Sequence, residues 1–190
     1  FGSVRREKYF SADLQSISYI DDNIFINKDR FVLRPFVLGK LISNLDIGLE
    51  KNVLDVGSTN GYSSSILSHL FKKVTSLEDN DICANFITRV CKEENLHNIK
   101  VVQNSFLETG NLKSTFDNIL INGEVNSNPI NFIKLLKLNG KLATIFKDGK
   151  NSYASMYIKK ENNTFDKLRI FDASSPILIN YKSKEPAFIF

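Results

Sequence analysis

Val53-Leu54-Asp55-Val56-Gly57-Ser58-Thr59-Asn60-Gly61-Tyr62 is the stretch that decides the fold. Val53 to Val56 is short, mostly apolar and β-branched, which predicts a buried strand. Gly57 permits a tight turn out of that strand, and Gly61 opens a helix through Ser65, Ile66, Leu67 and Leu70. A glycine there lets a ligand approach the N-terminal amides of the helix. Val74 to Leu77 reads as the next strand and ends in Glu78-Asp79, with Glu78 placed 21 residues after Gly57. A carboxylate at that tip can accept hydrogen bonds from both ribose hydroxyls of a nucleoside. A glycine loop alone is a weak signal. Strand, loop, helix, strand and terminal acid in that order are a stronger one.

The same alternation continues outward. Pro35 suits the first turn of a helix, with Phe36, Val37, Leu38, Leu41, Ile42 and Leu45 at helical spacing and an expected end near Gly48. Asp79 or Asn80 can cap a helix whose stripe is Cys83, Phe86, Ile87, Val90 and Cys91, which turns both thiols toward the core. Strands are expected at Ile99–Val102 and Phe116–Ile121. Asn128-Pro129 starts a helix through Ile130, Ile133, Leu136 and Leu138 that Gly140 stops, and a strand follows at Leu142–Phe146. Ser152–Lys159 and Phe165–Phe171 read as a hairpin-like pair joined near Asn162-Asn163. The tail from Ser174 holds Pro176 and Pro186 and ends in an apolar, strand-like piece at Phe188–Phe190. This pattern predicts an α/β fold: a Rossmann-like, doubly wound, mostly parallel sheet with helices on both faces and an antiparallel C-terminal edge. One domain is expected over 1–190, with an irregular segment at 1–34, a core at 35–172 and a tail at 173–190.

With 42% hydrophobic and 24% charged residues, the chain is neither disordered nor fibrous. No apolar run reaches the roughly 20 residues of a membrane span, and Phe1 to Phe10 carry no apolar core of a secretory signal. The chain starts at Phe1 rather than Met, so a preceding segment is expected. Two cysteines exclude a disulfide scaffold and a four-cysteine zinc site, and no metal site is expected. A reduced, cytoplasmic setting follows. The net charge of +4 is spread along the chain, so nucleic acid is disfavoured as a partner.

Val53–Gly61 with Asp55 resembles the first motif of class I S-adenosylmethionine-dependent methyltransferases. Gly61-Tyr62-Ser63-Ser64-Ser65-Ile66-Leu67 is similar to the protein-L-isoaspartate O-methyltransferase family, and more of the chain agrees. Arg6-Glu7-Lys8-Tyr9-Phe10, Arg34-Pro35, Phe116–Gly123, Leu138–Leu142, Phe171–Pro176 and Pro186–Phe190 resemble segments of a short bacterial branch of that family. The resemblance implies methyl transfer from S-adenosyl-L-methionine to the carboxylate of isoaspartyl residues in damaged proteins or peptides. It places the cofactor against Asp55, Gly57, Ser58, Thr59, Gly61, Tyr62, Glu78, Asp79, Asn104, Ser105 and Asn122. It puts the acceptor at Leu33 and Arg34.

Three departures bear on activity. The middle glycine of the family's loop is Thr59, whose β-branch resists positive φ. The family's Gly-Asp after the third strand is Asn104-Ser105. The hydroxyl positions before the proline-led helix are Phe31 and Leu33, so Arg34 either grips a substrate carboxylate in their place or is a solvated surface arginine. Alternatives therefore stay open: a methyltransferase with another acceptor, or a degenerate member acting as an interaction module. An NAD-dependent oxidoreductase is disfavoured by the Gly61-Tyr62 helix start and the lack of a hydride-transfer dyad.

Overall fold

A computed structural model describes residues 2–112 and 115–181. The first segment is less irregular than its sequence suggests. Short 3-10 turns at Arg6–Tyr9 and Gln15–Ile17 lead into a hairpin of Ile24–Asn27 (β1) and Arg30–Val32 (β2). The alternation at Ile24-Phe25-Ile26 is a true strand signal. Phe25 and Phe31 face each other across the pair, 6.0 Å apart. The Asp29 N–H donates to Asn27 Oδ1 at 2.9 Å and closes the turn.

Pro35–Ser43 forms α1 and stops short of the expected Gly48, which instead opens the strand Gly48–Val56 (β3). The cause is local: the Asn44 side chain donates to the Lys40 carbonyl at 2.8 Å and competes with the next helical turn. Tyr62–Ser68 (α2), Phe71–Glu78 (β4), Asp81–Glu93 (α3) and Ile99–Gln103 (β5) follow the expected order. Asn80 is the cap of α3, accepting the Cys83 N–H at 3.0 Å. Of the two thiols only Cys83 is buried, while Cys91 is half-exposed.

Phe116–Val125 is β6, and Ile130–Ile133 (α4) is a single turn. The expected helix to Gly140 does not form. Leu136–Asp148 is instead one long strand, β7. Phe132, Ile133 and Leu136 still bury their side chains, so the spacing marked a packed face and not a helix. Gly140 lies within this strand, where a Cβ would meet the Lys137 and Asp117 carbonyls at 2.9 and 3.0 Å. It is needed for close backbone approach, not as a helix stop. Asn151–Lys159 (β8) and Phe165–Asp172 (β9) make the antiparallel edge. Ile177–Ile179 (β10) lies in the tail, where no strand was expected before Phe188, and Pro186 and Phe188–Phe190 fall outside the described residues.

The main sheet runs β5-β4-β3-β6-β7-β8-β9, parallel as far as β7, with β10 parallel to the end of β6. Successive residues of β6 point to opposite faces: Leu120 joins a cluster with α1, α2 and α3, while Ile119 and Ile121 join one with Phe132 and Ile133 of α4. A fully buried leucine in such a cluster, such as Leu41, costs about 2–5 kcal/mol when cut to alanine. The order reverses at β3, with β4 and β5 on one side and β6 and β7 on the other. The crevice beyond its carboxyl end is therefore the ligand-binding position of this architecture.

Candidate functional site

The loop leaving β3 turns three times through left-handed backbone: Gly57 at φ 69°, Thr59 at 63° and Gly61 at 85°. Two of these are glycines, and Thr59 is not. It adopts the positive φ its β-branch resists, at a cost of roughly 1–3 kcal/mol, because its neighbours hold it there. Its N–H donates to Glu78 Oε2 at 3.0 Å, and its hydroxyl donates to the Phe31 carbonyl at 2.9 Å. The loop therefore keeps its shape at this departure, and the threonine ties the hairpin to it.

Asp55 anchors the loop from below. It is fully buried, and its Oδ2 accepts the hydroxyls of Ser63 and Ser64 at 2.7 and 2.6 Å. Its Oδ1 accepts Asn122 Nδ2 at 2.6 Å, and Asn122 also donates to the Val56 carbonyl at 2.9 Å. Burial raises the Asp55 pKa, against the pull of these hydrogen bonds. The network joins β3, α2 and β6 around the crevice. Ser58 joins it through Ser63 Oγ at 3.0 Å.

Glu78 stands at the tip of β4 with no exposed surface. Besides the Thr59 N–H, it faces the Arg30 guanidinium, whose Nε is 3.4 Å from Oε1. Burial pushes the Glu78 carboxyl up to about 7, with the Thr59 N–H and the Arg30 charge pulling the other way. Arg30 also pairs with Asp79 and lies over the Phe106 ring, 5.7 Å from its centroid. At the other end of the loop, Leu178 of β10 covers Gly57. A Cβ on that glycine would meet Leu178 Cδ2 at 2.5 Å, and one on Gly123 would meet Leu178 Cβ at 2.7 Å.

The structure thus gathers Asp55, Gly57, Ser58, Thr59, Gly61, Glu78, Asp79 and Asn122 around one crevice. Other expected residues border this loop but turn their side chains elsewhere; the Asn104 N–H donates to the Glu78 carbonyl at 3.0 Å. The Tyr62 ring turns toward the N-terminal segment, with the buried Arg6 guanidinium over its face at 4.6 Å and Tyr9 meeting it edge-on at 5.5 Å. Asn104 and Ser105 spend their side chains on their own loop: Asn104 Nδ2 donates to the Glu108 carbonyl at 2.9 Å, and Ser105 Oγ accepts the Leu107 N–H at 3.2 Å.

The acceptor-side pair contacts the N-terminal segment. Leu33 is buried in the apolar core, and its carbonyl accepts Arg6 Nη2 at 3.1 Å. The Arg34 N–H donates to Asn23 Oδ1 at 3.1 Å, and among the described residues its buried Nε has no hydrogen-bond partner. The cation that does reach the crevice is Arg30, which the sequence reading passed over. Nothing in its local sequence marked it, since it sits in a turn of alternating charge, Lys28-Asp29-Arg30. Leu178 was equally silent. The pair Ser63-Ser64, by contrast, could have been read as hydroxyl donors aimed at Asp55.

A mostly parallel sheet with this strand order and a glycine loop at its switch point is the architecture of class I methyltransferases, and solved structures share the fold. A Plasmodium falciparum chain described as a protein-L-isoaspartate O-methyltransferase, in complex with S-adenosyl-L-homocysteine, superposes with a TM-score of 0.75 at 23% identity, covering 93% of this chain and 86% of its own. A second structure titled protein-L-isoaspartate O-methyltransferase gives 0.71 at 17% identity over 90% of this chain and 58% of that one. The family profile of protein-L-isoaspartate (D-aspartate) O-methyltransferases matches residues 1–173, and the chain belongs to that family. Among its relatives, the protein-L-isoaspartate O-methyltransferase of Photobacterium profundum is 26% identical over 140 residues, 74% of this chain and 67% of the relative. That of Aliivibrio fischeri is 24% identical over 160 residues, 84% and 76% of the two chains. No helix among the described residues is long and apolar enough to cross a membrane.

Proposed function

We propose that this protein transfers a methyl group from S-adenosyl-L-methionine to the carboxylate of isoaspartyl residues in damaged proteins or peptides, in the cytoplasm. Membership of the family over residues 1–173 carries this reading. The crevice fits the cofactor's nucleoside. It offers a carboxylate at the tip of β4, a neighbouring aromatic ring in Phe106, and two glycines where a side chain would intrude. When bound, the cofactor supplies a methyl group already activated on a sulfonium.

Little covalent chemistry is then left to the chain. Glu78 accepts hydrogen bonds from the ribose and fixes the nucleoside end, which favours its ionised form. The Asp55 network keeps the Gly57–Gly61 loop rigid, so the acceptor oxygen and methyl group meet in line. An acceptor carboxylate is already nucleophilic, so no general base is required. That agrees with the positions of His69 and His97, which are exposed and lie away from the loop.

A second reading has its own observation. Leu33 and Phe31 are buried and apolar where the resembling family presents hydroxyls, which supports a different acceptor or weak turnover. Both readings are tested by incubating the protein with methyl-labelled S-adenosylmethionine and a matched pair of peptides, one isoaspartyl and one aspartyl. Base-labile label, released as methanol, should form on the isoaspartyl peptide alone. Label on neither peptide, with the cofactor bound, would favour the second reading.

A further inference from the structure

Arg30 is held like a ligand. Its guanidinium comes within 3.4 Å of Glu78 Oε1, pairs with Asp79 and lies over the Phe106 ring at 5.7 Å. Only 14% of the side chain is exposed. It arrives from β2, outside the sheet, and reaches across the ends of β4 and β5 to an acid and an aromatic ring. Those are the two kinds of group a nucleoside uses: the acid for its ribose and the ring for its base. The fit is incomplete, because the buried Arg30 Nε makes no hydrogen bond despite its closeness to Glu78. An ion pair without a hydrogen bond is a contact that a better-matched donor can replace.

We propose that Arg30 holds the nucleoside's place at Glu78, and that the cofactor binds by displacing it. The inference rests on the proposed function, because it takes the crevice to be the cofactor site. In the empty protein Arg30 is the cation that faces the buried Glu78 carboxyl, beside the N–H donors of Thr59 and Asp79. On binding, the ribose hydroxyls take over Glu78 Oε1, and the guanidinium leaves the Phe106 face. Arg30 therefore lowers affinity by competing for the same groups, and it sets how readily the site accepts a nucleoside. The hairpin has the means to yield, because Arg30 lies at the start of a three-residue strand that pairs only with β1.

The test compares the parent with Arg30→Ala and Arg30→Met, the latter keeping an apolar stem over Phe106. Binding of S-adenosylhomocysteine is measured by calorimetry at pH 9, well above the value of about 7 to which burial raises Glu78 in the parent. Both variants should bind at least fivefold more tightly than the parent. Without ligand they should melt at a lower temperature, and the rise in melting temperature on adding ligand should be larger than the parent's. A residue that merely supports the fold would lower both affinity and melting temperature. Equal or weaker binding by both variants overturns the displacement and leaves the cofactor reading standing. Absence of binding in all three proteins overturns the cofactor reading and this inference with it.

Discussion

Replacing Glu78 with glutamine should reverse the way stability responds to pH. Glu78 is fully buried, and burial pushes its carboxyl from an ordinary 4.5 up to about 7. Between those two values the folded protein holds a proton that the unfolded chain has released. The stability Glu78 contributes is thus complete below pH 4.5 and is lost as pH rises through 7. A gap of about 2.5 units at 1.36 kcal/mol each gives about 3 kcal/mol. Glu78→Gln keeps the shape and stays neutral throughout. Its amide oxygen can still accept the Thr59 N–H, which lies 3.0 Å from Glu78 Oε2 in the parent. Urea unfolding of both proteins at pH 5 and pH 8.5 isolates this group, because the other titrating residues cancel between them. Relative to the parent, the variant should gain about 3 kcal/mol between the two pH values. No change, or a shift of opposite sign, would mean that the Arg30 charge outweighs burial and that the account of Glu78 is wrong.

Asp55→Ala should leave the hydroxyls of Ser63 and Ser64 and the Asn122 amide without their shared acceptor; about 3 kcal/mol or more of stability should go, read by chemical denaturation. Leu33→Ser puts a hydroxyl into the apolar core, so it should cost about 2–4 kcal/mol and give no gain in isoaspartyl peptide methylation. A faster variant of undiminished stability would place the Leu33 side chain at the acceptor.

The sequence exposed what is local and hid what is not. Contiguous apolar runs mark β3, β4 and β6 because buried residues fill much of each strand, and Asn80 marks the start of α3 because capping acts within one turn. The stretch from Ile130 to Gly140 misled because Phe132, Ile133 and Leu136 are buried at a spacing that suits a helix. The chain leaves the helix after one turn, and Leu136 pairs with Phe116 in the sheet. The hairpin shows only as the short alternation Ile24-Phe25-Ile26, and β2 and β10 not at all, because strands of three residues carry too few positions to show a period. The same division holds at the crevice. Gly57, Gly61 and Glu78 follow from one βαβ unit. Arg30 and Leu178 come from opposite ends of the chain, and only tertiary packing brings them to Glu78 and Gly57. Arg34 stands out in the sequence by its place beside Pro35, but only the fold shows that its Nε is buried without a hydrogen-bond partner.

The account turns on Glu78 as the ribose acceptor. Calorimetry of S-adenosylhomocysteine with the parent and Glu78→Ala at pH 9 tests it most directly. Loss of charge-assisted hydrogen bonds worth roughly 1.5–3 kcal/mol should weaken binding by about tenfold or more. Binding by Glu78→Ala as tight as the parent's would contradict the assignment and move the cofactor out of this crevice.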